Sequence, residues 1–332
     1  MKRCLIAAGL VAGLVLALSA DASKASEAPR SPDAVERRIR SGSVELYSRA
    51  IGRGQPVIVL HGGPDFDHRY LLPELDRLAE RFRLIYYDQR GRGDSARGVR
   101  PEDVTLASDL DDLDRVRRSF RLDAPALLGH SWGTVLALEY AVRHPTRVSR
   151  LILMNPAPAS ASDFAILREA YLKGLGADMD RQRQLTAGAA YQAGEPEAVA
   201  ERYRIHFEHA LRRPEDYETL MARMKAAFVS QGKEGIVKAR AVEDQLMRDT
   251  WHDAGYDLLP KLGALRIPTL VITGDHDFIP REVAEHAAHA IPGARLVVLE
   301  DCGHFAYLER AGEVRSALDE FFQRTTPTRR ER

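Results

Sequence analysis

Residues 125–142 read PALLGHSWGTVLALEYAV. A short apolar run, Pro125–Gly129, leads into Gly129-His130-Ser131-Trp132-Gly133 and then into a helix-forming stretch, Trp132–His144. A Gly-x-Ser-x-Gly element between a strand and a helix makes a sharp turn that lifts a serine hydroxyl clear of a parallel sheet. The two glycines allow close main-chain approach on either side. The amino end of the helix behind favours developing negative charge. The bland alternative is a glycine-rich turn. The strand–turn–helix context selects the other reading and makes Ser131 the candidate nucleophile.

Outward from this element, strand and helix signals alternate. Before it come Val44–Arg49, the run Pro56–Leu60 ending at His61-Gly62-Gly63-Pro64, and Leu84–Tyr87. Helical spacing fits Leu71–Arg81 and Val104–Leu122. After it comes the strand Val148–Met154. Short continuous apolar runs separated by helices predict a mostly parallel sheet covered on both faces, an α/β fold. Between Asn155 and Pro268 the alternation stops and only helices are read: Ala161–Leu175, Glu197–Leu211, Pro214–Phe228 and a segment near Arg240–Arg248. It resumes with Pro268–Gly274, Arg281–Ala290, Arg295–Leu299 and Ala311–Arg324. The chain therefore divides into a core of 43–157 and 262–324 and a helical cap insert of 158–261, with a polar tail of 325–332. An insert over the carboxyl ends of parallel strands would lie where such sheets bind ligands.

The amino terminus has a different character. Met1-Lys2-Arg3 is basic, Cys4–Ala20 is uncharged and apolar, and Ala20-Asp21-Ala22 offers small residues to a signal peptidase. This pattern predicts a signal peptide over 1–22, a flexible leader over 23–42, and a periplasmic or secreted protein without a stable membrane span after cleavage. The alternative is an uncleaved anchor, for which the apolar run is slightly short. Lys+Arg and Asp+Glu each number 48, so no basic excess marks a nucleic-acid binder. Two cysteines, Cys4 and Cys302, exclude a disulfide scaffold and a multi-cysteine zinc site.

A serine nucleophile in such an elbow is followed along the chain by an acid and then a histidine. His286 and His289 are spaced as the solvated face of Arg281–Ala290. His304 lies in Asp301-Cys302-Gly303-His304-Phe305, directly after the last strand, and is the candidate base. The acid should follow Pro268–Gly274. Asp277, further out in the loop, is chosen over Asp275, which reads as a turn residue. His276 between them lacks a well-spaced third ligand, so no metal is expected, nor any other cofactor. His61 reads as structural. The glycines after it would let a main-chain N–H join that of Trp132 in an oxyanion hole. Asp88–Ser95 (DQRGRGDS) is a polar loop on the same side and lacks the ending of a phosphate-binding loop. Cys302 reads as a small buried side chain.

HGGP, YYDQRGRGDS, GHSWGT, GDHDFIP and GHF, in this order, resemble the α/β-hydrolase superfamily, and more narrowly the proline iminopeptidase group of serine aminopeptidases. The resemblance covers about residues 43–324. It implies an α/β-hydrolase fold, a triad of Ser131, Asp277 and His304, and an oxyanion hole of Gly63 and Trp132. Two positions depart from the group: Asp65 stands where a glycine usually follows HGGP, and Lys225 stands where a second amine-binding glutamate was expected. Candidate acids for a substrate amine are Glu208, Glu243 and Asp244, with Glu208 set among Tyr203, His206 and Phe207. The function expected is acyl-enzyme hydrolysis of short peptides at the amino end, with a carboxylesterase or lactonase on small acyl substrates as the alternative. Epoxide and haloalkane chemistry is disfavoured because its nucleophile is an aspartate. A non-catalytic binding protein is disfavoured because all three triad positions are kept.

Overall fold

A computed structural model describes residues 34–325. The signal peptide, the first part of the leader and most of the tail lie outside the described residues. Eight strands form one sheet: β1 (Val35–Ser41), β2 (Val44–Ile51), β3 (Gln55–Leu60), β4 (Phe82–Tyr87), β5 (Ala126–His130), β6 (Arg150–Met154), β7 (Thr269–Gly274) and β8 (Arg295–Leu299). Their order is β1-β2-β4-β3-β5-β6-β7-β8. The β1–β2 and β2–β4 pairs are antiparallel, and the remaining pairs are parallel. The central strands are buried along almost their whole length because helices cover both faces, which is why they read as unbroken apolar runs.

From β3 the chain crosses to β4 on one side and then returns to β5 on the other. At such a switch point the loops leaving two adjacent strands diverge and open a crevice. The loops concerned are His61–Asp67 and the Ser131 elbow. Helix α1 (Leu106–Ser119) starts at a capping box, Thr105 with Ser108. Helix α2 (Trp132–Arg143) follows the elbow, buried through Ala141.

Between β6 and β7 lie α3 (Ala161–Leu175), α4 (Asp178–Ala187), the short α5 (Ala189–Gln192), α6 (Pro196–Phe207) and α7 (Pro214–Asp249). Gly232, at φ 68° and ψ 172°, breaks α7 into two pieces. The core resumes with α8 (Leu259–Leu262), α9 (Arg281–Ala290), α10 (Ala306–Glu309) and α11 (Ala311–Thr325). Among the described residues no helix is long and apolar enough to cross a membrane.

Two expectations are corrected and one helix is added. Residues 35–41, placed in a flexible leader, form the edge strand β1, paired with β2 from Val35↔Ala50 to Ser41↔Val44. Only Ile39 and Ser41 of that strand are buried, so it carries too few apolar residues to show a period. Leu71–Arg81 is not one helix but two 3-10 segments, His68–Leu71 and Leu75–Glu80. Pro73 between them has no N–H to donate. Finally, α4 was not anticipated, since none of its residues is buried.

Candidate active site

Loops from four strands converge at the carboxyl edge of the sheet. The elbow after β5 holds Ser131 at φ 53° and ψ −123°. For a non-glycine residue such a conformation costs about 1–3 kcal/mol and persists only where packing enforces it. The packing is visible at both flanking glycines. A Cβ on Gly129 would lie 2.4 Å from the Gly133 carbonyl oxygen, and one on Gly133 would lie 2.1 Å from that of Leu60. The Ser131 N–H donates to the Met154 carbonyl at 3.0 Å, tying the turn to β6.

The loops after β7 and β8 bring Asp277 and His304 together. Asp277 Oδ1 lies 2.8 Å from His304 Nδ1. The same oxygen accepts the Ile279 N–H at 2.9 Å. With the Nδ1–H donating to the carboxylate, a neutral His304 carries its lone pair on Nε2, the tautomer a base requires. His304 is buried, and its ring lies 5.1 Å from the ring of His130, the residue before Ser131. Asp275 instead accepts the Cys302 N–H at 3.1 Å and contacts exposed His276. Its place beside the strand makes it a turn acid. Burial pushes the Cys302 thiol well up, away from reactivity. His286 and His289 lie exposed on α9, with His286 paired to Asp163 at 2.8 Å.

After β3, Gly63 sits at φ 119°, where an added Cβ would meet the Asp65 N at 2.3 Å. A Cβ on Gly62 would lie 3.0 Å from the Ser131 Cβ, so this loop lies against the elbow. Among the described residues neither the Gly63 nor the Trp132 main-chain N–H has an acceptor. Two free N–H groups beside a serine can receive a developing oxyanion.

Several supporting residues carry no sequence signal. The Gly62 N–H donates to the Tyr70 hydroxyl at 2.8 Å, and that hydroxyl lies 2.7 Å from His130 Nδ1. His130 Nε2 lies 3.0 Å from the His304 carbonyl oxygen, so Nε2 donates and Nδ1 accepts. Burial holds His130 well below the usual histidine range, consistent with the neutral ring this chain needs. Oxyanion loop, elbow and histidine loop are thus linked in one run of hydrogen bonds. Asn155, at φ 47°, donates through Nδ2 to Asp277 Oδ2 at 2.9 Å and to the Gly303 carbonyl at 3.1 Å.

The Asp88–Ser95 loop is scaffold. The Gln89 N–H donates to His61 Nε2 at 3.0 Å, and the Gln89 side chain donates to the His61 carbonyl at 2.9 Å. Burial lowers His61 to about 4, so it is a neutral structural ring. One group of three possible ligands, Asp67, His68 and Asp88, occurs among the described residues. Asp88 already accepts from the His68 N–H and Nδ1 and from the Asp94 N–H. Asp67 is paired with Arg69 at 2.6 Å. These oxygens are fully engaged, and the cluster reads as a hydrogen-bonded brace.

The cap candidates separate. Glu208 is exposed at the end of α6 and Asp244 is exposed on α7, so neither is enclosed with Ser131, Asp277 and His304. Both are candidate acids for a substrate amine in the sequence; the structure leaves both exposed to solvent. Lys225 is also exposed, 3.4 Å from Glu197, and does not face the interior. Glu243, by contrast, is half-buried. Burial and the charge of Asp65 push it up to about 8, against the opposing pull of Arg202. Among the described residues it has no ion-pair partner within 4.0 Å. Arg202 stacks its guanidinium over the Tyr203 ring at 4.5 Å.

Sheet order, elbow and the Asp277–His304 pair define an α/β hydrolase. A family model described as "alpha/beta hydrolase fold" matches residues 55–311; the chain belongs to that family and is a hydrolase. Proline iminopeptidase of Lactobacillus crispatus is 29% identical over 292 residues, covering 85% of this chain and 95% of the relative. The crystal structure of proline iminopeptidase from Mycobacterium smegmatis superposes with a TM-score of 0.64 at 26% identity, covering 88% of this chain and 98% of that one. An N-acyl homoserine lactone degrading enzyme shares the fold at a TM-score of 0.62 and 24% identity, covering 86% of this chain and all of its own.

Proposed function

We propose that the protein is a serine aminopeptidase that removes an amino-terminal residue from short peptides. Ser131 attacks the carbonyl, His304 takes the hydroxyl proton and returns it to the leaving amine, and Asp277 holds the imidazole. The N–H groups of Gly63 and Trp132 receive the oxyanion. Water then releases the acyl group by the same steps. The observation that carries the peptidase reading is Glu243, a half-buried carboxyl group with no ion-pair partner of its own among the described residues. A substrate ammonium would supply one. The iminopeptidase relatives, which match this chain over most of its length, support the same reading.

Arg202 favours the second reading, an esterase or lactonase, because its charge close to Glu243 opposes a cation. The test is hydrolysis of prolyl and alanyl arylamides, their N-acylated forms, short p-nitrophenyl esters and lactones. The peptidase reading expects free-amine arylamides to be cleaved and N-acylated ones refused. It also expects Glu243→Gln to raise KM for arylamides about tenfold or more, the loss of one charge-assisted contact, with little change for a neutral ester. Cleavage of esters alone selects the second reading. Export is proposed from Met1–Ala22; a mature protein starting near Ser23, read by intact mass from the native host, is the expected result.

A further inference from the structure

Asp65 is the residue at which this chain departs from the HGGP-Gly pattern, and its side chain is buried, 4% exposed. It lies two residues after Gly63, in a turn so tight that a Cβ placed on Gly63 would stand 2.3 Å from the Asp65 N and 2.5 Å from the Phe66 N. Its Oδ2 accepts the hydroxyl of Tyr203, on cap helix α6, at 2.5 Å. Tyr203 is itself buried and packs edge-on against Phe66 at 4.9 Å between ring centroids. A second cap contact lies further along the same loop. Gln231 Nε2 donates to Asp67 Oδ2 at 3.1 Å, and Arg69 donates to Ser230 Oγ at 3.0 Å. Both cap residues sit beside the Gly232 break.

We propose that Asp65 is a positioning residue through which the cap, by way of the Tyr203 hydroxyl, sets the direction of the Gly63 N–H toward the reacting carbonyl oxygen. The oxyanion loop has glycines at 62 and 63 and little stiffness of its own. A short hydrogen bond from a buried hydroxyl to a carboxylate fixes the far side of the turn. An oxyanion donor acts only within a few tenths of an ångström of its aim, and removing one outright costs about a hundred- to a thousand-fold in kcat. Loosening one should cost less, and should act on the transition state without touching the bound ester.

The inference rests on the serine-hydrolase reading, so the experiment uses a neutral p-nitrophenyl ester and includes Ser131→Ala. Active enzyme is counted by fluorophosphonate titration, which removes any misfolded fraction from the rates. Tyr203→Phe keeps the ring and deletes the hydroxyl. Its kcat is expected to fall about tenfold or more with KM within about twofold. Asp65→Ala should match it, and Tyr203→Phe with Asp65→Ala should be no worse than either alone. Asp65→Asn keeps an oxygen for the hydroxyl and should recover most of the loss. A boronic acid that mimics the tetrahedral adduct should lose affinity in step with kcat/KM, while the product carboxylic acid should not. Wild-type kcat in Tyr203→Phe, additive losses in the double variant, or equal weakening of both inhibitors overturns the inference. Turnover surviving in Ser131→Ala overturns the assignment of Ser131 as nucleophile instead.

Discussion

At Ser131 a strained backbone and a reactive side chain coincide. The φ of 53° is held by main chain packed where Cβ atoms on Gly129 and Gly133 would otherwise stand. Ser131→Ala should therefore fold normally and lose fluorophosphonate labelling and turnover, the latter by about a million-fold in kcat. His304→Ala should do the same to turnover, whereas His286→Ala and His289→Ala should keep wild-type rates. Labelling that survives in Ser131→Ala would place the nucleophile elsewhere. These residues are legible in the chain because a strand-to-helix elbow needs small residues at fixed positions. Asn155, Tyr70 and His130 are not, because an asparagine, a tyrosine and a histidine are ordinary residues until a partner comes within 3 Å.

The elements contribute by bracing loops. The polar loop after β4 is strapped to α1 by Arg92 and Asp109, a fully buried pair 2.5 Å apart. Burial nonetheless raises Asp109 to about 6, against the pull of Arg92. Deleting one partner leaves a buried charge unpaired, so Asp109→Ala should cost about 3–5 kcal/mol, read from the urea midpoint. The same loop carries Gln89, which holds His61 and with it the start of the oxyanion loop. A loss below about 1 kcal/mol would mean that the pair is incidental. A histidine loop braced in the same way shows how closely the cap engages the core: the His304 N–H donates to the Ala210 carbonyl at 2.7 Å, and buried Glu309 accepts the Gly303 N–H at 2.8 Å.

For the whole molecule, the enclosed charges between cap and core make stability depend on pH. Glu243 faces Asp65, Arg202, Asp244 and Arg240, and burial raises it from 4.5 to about 8. Over that interval the folded state holds a proton that the unfolded chain releases. Its contribution to stability is therefore present at low pH and lost as pH rises from about 4.5 to about 8. Glu243→Gln removes this dependence, so its melting temperature relative to wild type should rise by a few degrees between pH 5 and pH 8. A constant difference across that range would show that Glu243 titrates normally. Bound substrate amine should act in the opposite sense, favouring the ionised carboxylate and moving its titration downward in pH.

The chain by itself determined the parallel sheet, the elbow, and the order of nucleophile, acid and base. Each of these rests on a local requirement: continuous apolar runs for strands buried on both faces, glycines where backbone must pass, and loops at strand ends. It did not determine β1, whose pairing comes from its neighbour rather than from an apolar pattern of its own. Nor could it sort the cap acids. Glu243 and Asp244 are adjacent, yet helix phase half-buries one and turns the other to solvent. The partner of Asp65 lies 138 residues away on another element. Which carboxylates are enclosed, and by what, is a matter of how the cap packs on the core. Packing depends on contacts far apart along the chain, so tertiary structure alone decided it.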